Sequence, residues 1–365
     1  MAVPGLGAVI DGDGHLVTDM KGVANFMPEG WMGMAGGSSL GSLFPPIDHL
    51  HSANPVALPK DSFAQIGVEG WMEFMEEVGI DAAALFPTGG LSYGRIVNRD
   101  WAIAVCRAYN DWVYETYMKA SDRFIGIGFI PMQEPAAAVE ELRRIVVDLG
   151  MAGAMLPSRG LTNHLGAKEY WPIYEEADRL GATLAVHGGS HSGMGLDNMN
   201  VYAPVHALGH PFSLMAAFGG VIFNGVLDKY PNARWGFLEG GVGWFLLCLE
   251  RFNRSYETHM HLDPRDELIK LRDGERISDY IVRHTQEGRI YVGCEGTEPN
   301  IPQVIEAVGD GCLVFSTDFP HEVNAEMCKH EISEVVENTQ ITDSDKSAIL
   351  HGNAKRLYAW SPNGN

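Results

Sequence analysis

Cationic side chains are scarce in this chain: 26 Lys and Arg stand against 47 Asp and Glu in 365 residues, a formal net charge of −21. That balance excludes nucleic acid and anionic membrane surfaces as expected partners, because both are held by an excess of Lys and Arg. Cysteine is sparse as well. Cys106, Cys248, Cys294, Cys312 and Cys328 are odd in number, scattered, and form no C-x-x-C pair. Neither a disulfide framework nor a thiolate zinc site is therefore expected, and ordinary reduced thiols are. The opening MAVPGLGAVIDGDGH lacks the basic segment of a signal peptide, and no uninterrupted apolar run approaches a bilayer span, so a cytoplasmic protein is expected. Internal repeats, low-complexity tracts and linkers are missing too, which points to one domain over 1–365.

Hydrophobic residues make up 45% of the chain, enough for a large core. Their arrangement alternates between short apolar runs and helical patterns. The pattern predicts strands at Ala82–Phe86, Phe124–Ile130, Ala152–Leu156, Thr183–Val186, Arg234–Leu238, Arg289–Val292 and Leu313–Ser316. It predicts helices at Trp71–Val78, Asn98–Lys119, Pro135–Leu149, Glu169–Leu180 and Ile301–Val308, with a closing helix in HGNAKRLYAW near Asn353. With AVIDGDGH as the first strand, eight strands separated by helix-bearing connections read as an elaborated (β/α)8 TIM barrel. Residues 20–61, rich in Gly, Met, Pro and Ser around Trp31, His49 and His51, lack periodicity and read as a loop or lid inserted near the N-terminus.

Chemistry-bearing residues fall where these strands end. Thr183–Val186 runs into His187 and Arg234–Leu238 into Glu239, each followed by two glycines; Asp13 and His15 alternate in the first strand, and Asp318 follows the last. Active sites of TIM barrels form at that end of the strands. Taken singly, each residue has a plainer reading: Asp13 and Asp318 as helix or turn caps, the histidines as satisfied core groups. His206 and His210 lie four apart, one turn if helical, and His321 follows Asp318 by three. His191, between serine and glycine, reads as a loop residue. Arg95, Arg99 and Arg159 sit in loops after the second to fourth strands, where a substrate carboxylate could be met, although such arginines are more often surface ion-pair residues.

The segments IDGDGH, YNDW at Tyr109–Trp112, AVHGG, HALGHPF, FLEGGVGWF, FSTDFPH and HGNAKRLY together resemble the amidohydrolase-related (family 2) branch of the amidohydrolase superfamily across most of the chain. The resemblance implies that Asp13, His15, His187 and Asp318 bind a divalent metal. Similar proteins include zinc- or manganese-dependent decarboxylases and hydrolases, and in the decarboxylases strand six ends in a His where this chain has Glu239. That exchange, with HALGH and DFPH, looks more like a smaller group that activates O2 at a dinuclear iron or iron–manganese centre. The expectation is thus two metals per chain, Fe or Mn with Zn also accommodated, the second held by His206, His210 and His321 and bridged by Glu239. Glu239 and Asp318 are the catalytic candidates. The implied function is an O2-dependent monooxygenase of a small organic acid or natural product, fed by a ferredoxin or reductase, in a homo- or hetero-oligomer. The alternatives are a mononuclear Zn or Mn decarboxylase or hydrolase with Glu239 as acid/base, and a non-catalytic metal-binding subunit of a hetero-oligomer.

Overall fold

Strands buried on both faces are mostly apolar, and the runs picked out by the sequence after the first strand are. In a computed structural model that describes residues 7–31, 42–47, 58–260, 263–264, 268–269 and 271–361, they form eight parallel strands ordered β1 to β8 in the sequence. These are β1 Ile10–Leu16, β2 Ala82–Pro87, β3 Phe124–Phe129, β4 Gly153–Pro157, β5 Thr183–His187, β6 Arg234–Leu238, β7 Ile290–Cys294 and β8 Leu313–Phe315. Helices alternate with them, giving a nearly closed (β/α)8 barrel. His187 belongs to the ladder itself, paired with Pro157 on one side and Leu238 on the other.

The seam between β1 and β8 is closed by scattered bonds. Asp318 N–H donates to the Asp13 carbonyl at 2.9 Å and His15 N–H to the Phe319 carbonyl at 2.7 Å. Asp11 adds a side-chain clasp: its Oδ1 accepts from Thr317 N–H at 3.0 Å and its Oδ2 from the Thr317 hydroxyl at 2.7 Å. A register shift between Asp11 and Gly14 lets β1 serve two directions, Asp11 toward the seam and Asp13 and His15 toward the barrel mouth.

Three helices differ from expectation. Asn98 caps the helix Arg99–Val113 through Trp101 N–H, and the helix then widens into a π turn at Tyr114–Met118 where the sequence predicts an unbroken run. Within YNDW, Asn110 clasps both backbone groups of Phe129 on β3, accepting from N–H at 2.7 Å and donating to C=O at 2.8 Å, so that motif holds the barrel wall. The helix Tyr202–Phe223 has 22 residues and is, by length and composition, long and apolar enough to cross a bilayer, although His206, His210 and Pro211 interrupt its apolar run. It is apolar because it is half buried on the barrel, with Phe218 wedged against Phe237, Trp244 and Phe245. The helix Ala325–Glu337 is capped by Asn324, which frees Asp318 from the capping role.

The tail closes the opposite, N-terminal end of the strands. Asn353 donates to the Leu313 carbonyl, Thr183 to the Leu357 carbonyl and Tyr358 to the Gly12 carbonyl. Of the 20–61 insertion, the described parts pack on the barrel: Phe44 lies 5.4 Å from Phe129, and the Trp101 indole donates to Leu43. His49 and His51 lie outside the described residues.

Candidate metal centre

The residues that end β1, β5, β6 and β8 converge at the barrel mouth. His15 Nε2 stands 3.5 Å from Asp13 Oδ1, 3.2 Å from Asp318 Oδ1 and 3.9 Å from Glu239 Oε2. His187 Nε2 stands 3.5 Å from Asp13 Oδ2 and 3.0 Å from Glu239 Oε2. Asp13, His15 and His187 are buried, whereas the Glu239 and Asp318 side chains are 17% and 18% exposed and face the opening. Both have left-handed backbones, φ 56° for Glu239 and φ 57° for Asp318. A non-glycine residue adopts that geometry at a cost of about 1–3 kcal/mol, and here it turns each carboxylate off its strand end into the mouth.

Seven buried atoms of this group make no hydrogen bond: both Asp13 oxygens, both His15 nitrogens, His187 Nε2, Glu239 Oε2 and Asp318 Oδ1. Leaving so many polar atoms unsatisfied is costly unless something charged sits among them. A mixed set of carboxylate oxygens and imidazole nitrogens at these spacings fits a divalent cation such as Mn, Fe or Zn. His187 Nδ1 lies 2.9 Å from the Gly188 carbonyl; a proton there directs Nε2 to the cluster.

The electrostatics of the protein alone show the strain of this arrangement. Burial pushes the Asp13 carboxyl up, against the pull of His187. Burial pulls His15 well below the usual imidazole range, helped by His321 and His187. For His187 burial works downward, but Asp13 and Glu239 outweigh it and raise the imidazole well above its ordinary value. Burial likewise works upward on Glu239, yet His210 and His187 hold it well below the usual carboxylate range.

Asp13, His15, His187 and Asp318 are therefore brought together as expected from the strand ends. The second expected set assembles only in part. His210 is buried with Nδ1 3.6 Å from Glu239 Oε2, on the His187 side. His206 is exposed one turn earlier in the same helix, where its ring meets Tyr202, and it joins none of the clusters that could hold a metal. A turn of helix rises about 5.4 Å, so only the later of two residues four apart reaches past the strand end. His321 lies on the far side of His15. Its Nδ1 is 2.8 Å from Asp318 Oδ1, its Nε2 is 2.8 Å from the Thr88 hydroxyl, and Phe63 stacks on its ring. With contacts at both nitrogens, His321 is placed to orient Asp318.

Several residues of the site escape the sequence pattern. His191 is buried edge-on against His210 with ring centroids 4.8 Å apart, although its SHSG setting suggests a loop. Gly188 and Gly209 make the room: a Cβ on Gly188 would lie 2.1 Å from His210 Nδ1, and one on Gly209 would lie 2.1 Å from His191 Nδ1. Thr88 and Asp11 carried no signal beyond their proximity to strand ends.

Known proteins bear on this geometry. The amidohydrolase family matches residues 10–360. The 2-amino-3-carboxymuconate-6-semialdehyde decarboxylase of Dictyostelium discoideum is 25% identical over 72% of this chain and 68% of its own. The gamma-resorcylate decarboxylase of a Polaromonas species is 26% identical over 79% of this chain and 86% of its own. Among solved structures, the 5-carboxyvanillate decarboxylase of Novosphingobium aromaticivorans, crystallised with manganese and 4-hydroxy-3-methoxy-5-nitrobenzoic acid, superposes with a TM-score of 0.72 at 19% identity, covering 98% of each chain. These relatives overturn the expectation of an O2-dependent monooxygenase: they are decarboxylases.

Proposed function

The chain belongs to the amidohydrolase family, and on that premise we propose that it is a divalent-metal-dependent decarboxylase of a small aromatic or unsaturated carboxylic acid. The observation that carries this is the convergence of Asp13, His15, His187 and Asp318, with their unsatisfied oxygens and nitrogens, beneath a mouth-facing Glu239. The decarboxylase relatives supply the reaction class. Asp13, His15, His187 and Asp318 would hold the cation. When bound, it supplies positive charge that anchors an acidic substrate and stabilises the charge left as the C–C bond breaks.

Decarboxylation replaces CO2 on carbon by a proton: the bond electrons stay on the substrate carbon and a nearby acid must protonate it. It consumes no O2 and needs no electron donor. Glu239 and His210 are placed for the proton. Their 3.6 Å separation couples the two charges, so the groups titrate as a unit. Burial pulls His210 down to about 3 against Glu239, with His191, His187 and His206 adding to the fall, so the pair is deprotonated near neutrality and any proton it takes up is readily passed on. His321, tied to Thr88, keeps Asp318 aimed into the cluster.

The test is CO2 release from a panel of hydroxybenzoic and unsaturated dicarboxylic acids under nitrogen, with Glu239→Gln beside the wild type. The variant should retain its metal and lose about 10²–10⁴ in kcat. Wild-type turnover that stops when O2 is removed, or a variant as fast as the wild type, would overturn the proposal.

A further inference from the structure

The helix Tyr202–Phe223 holds no Asp, Glu, Lys or Arg in its 22 residues, although 20% of the chain is charged. Burial explains only part of this, because half of its most apolar stretch lies inside the molecule and half does not. Its exposed residues are Ala203, His206, Ala207, Phe212 and Ala216, of which one is polar. A solvated helix face ordinarily carries charge, so a large apolar one marks a surface that something covers.

The face continues onto the next long helix, Gly243–His259. Phe252 joins the two: its ring centroid lies 6.1 Å from that of Phe218 and 5.0 Å from that of Phe223, and a Cβ on Gly219 would lie 3.5 Å from its ring. On the outside, Phe212 of the first helix is 37% exposed and Leu247 of the second 44%. Helices of 22 and 17 residues, each about 10 Å wide, offer together up to about 600 Å² per copy. Two such faces in contact would bury about 1,200 Å², the size at which specific interfaces begin.

Charge decides what covers it. At a net charge of −21 two copies of the chain repel each other, so they can meet only through a face without an excess of acid. At the border of this face Glu250, Arg251 and Arg254 are exposed, carry both signs, and form no ion pair among the described residues, with each other or with anything else. Other surface arginines are neutralised within the chain, Arg99 by Glu134 and both Arg143 and Arg179 by Glu176. In a two-fold contact, where residue i meets j, residue j also meets i. Antiparallel packing of Gly243–His259 on its copy, centred at the level of Phe252, sets Glu250 of each copy against Arg254 of the other. Charges left idle in one chain are thereby satisfied in two.

We propose that the outer faces of these two helices form a two-fold interface with a second copy of this chain, apolar around Phe212 and Leu247 and bordered by reciprocal Glu250–Arg254 ion pairs. The interface is independent of the decarboxylase reading. A bilayer is the other partner for an apolar helix face, and an acidic chain is repelled by anionic headgroups.

Sedimentation velocity of the full, metal-loaded chain tests this. The expected particle has twice the 39.9 kDa of one chain, or an even multiple of it. Phe212→Glu should halve that mass, with Leu247→Glu as the second variant should the first fail to fold. Glu250→Arg and Arg254→Glu each set like charges against one another and should weaken association about tenfold or more, whereas the double reversal should restore it. The proposal is overturned if the wild type sediments as a monomer, if both folded apolar-face variants keep the wild-type mass, or if the double reversal associates no more tightly than the single ones. Flotation of the wild type, but not of Phe212→Glu, with phosphatidylcholine vesicles would give the face to a membrane and overturn it as well.

Discussion

Replacing Asp11 should loosen the metal centre without touching any residue that would hold the cation. Asp11 is fully buried; its Oδ1 accepts from Asp13 N–H at 3.1 Å and from Thr317 N–H at 3.0 Å, and its Oδ2 from the Thr317 hydroxyl at 2.7 Å. Those bonds tie Asp13 on β1 to the turn that carries Asp318. Asp11→Ala strands two N–H groups and one hydroxyl in the core, for a loss of about 3–5 kcal/mol once partial relaxation is allowed. Asp11→Asn keeps the Oδ1 acceptor. Its amide faces a Thr317 oxygen that already accepts from Phe319 N–H at 3.1 Å, so the hydroxyl must turn away, at a cost of about 1–2 kcal/mol.

In both variants metal affinity should fall about 10- to 100-fold, as for other residues that orient ligands. Urea unfolding of metal-stripped protein measures the first effect, and metal titration of folded protein the second. The dependence on pH has a definite sign. Burial pushes Asp11 up to about 7, against its bonds to Thr317 and Asp13. The native state thus keeps a proton that the unfolded chain releases near pH 4, so wild-type stability falls as pH rises from about 4 to 7. Asp11→Asn lacks that fall, and its deficit should shrink across the window. An Asp11→Ala protein with unchanged unfolding midpoint and unchanged metal affinity would refute the reasoning.

Four other outcomes follow from the structure. Glu331, 6% exposed with a partnerless Oε2, is pushed up to about 8 by burial, then by Glu295 and Asp11; wild-type stability should fall between the ordinary carboxylate range and pH 8, by up to about 1.4 kcal/mol per pH unit. Glu331→Gln should be the more stable protein at pH 9, and urea midpoints at pH 6 and 9 check this. Asn110→Ala leaves both Phe129 backbone groups unpaired and should cost about 2–4 kcal/mol in urea unfolding with metal content unchanged. Gly188→Ala would set a Cβ 2.1 Å from His210 Nδ1; displacement of that ring should lower kcat at least tenfold at full metal occupancy. His206→Ala should leave metal content and turnover as in the wild type, whereas His210→Ala should lower turnover; equal losses in the two would contradict the assignment of His210 to proton transfer with Glu239.

Much of the barrel and half of its centre were legible in the chain. A parallel strand buried on both faces is mostly apolar, so β2 to β8 announce themselves, and a polar residue directly after such a run is carried to the mouth. That is why His187, Glu239 and Asp318 could be placed from local pattern alone. His206 and His210 share one motif and one helix, and spacing could not separate them; packing of that helix against β5 and β6 buries one and leaves the other in solvent. Glu239 misled for a different reason: one residue type at one strand end is compatible with a bridging ligand or an acid, and the choice depends on what surrounds it.

What the sequence determined by itself was periodicity and chain direction: eight strands, their order, and which residues stand at the catalytic end. Only the tertiary structure decided which side chains meet. Asp11 and Thr317 are 306 positions apart, and Thr88 and His321 are 233 apart. Such contacts leave no trace in local spacing, because they depend on how the helices and loops pack around the barrel once the strands have closed it.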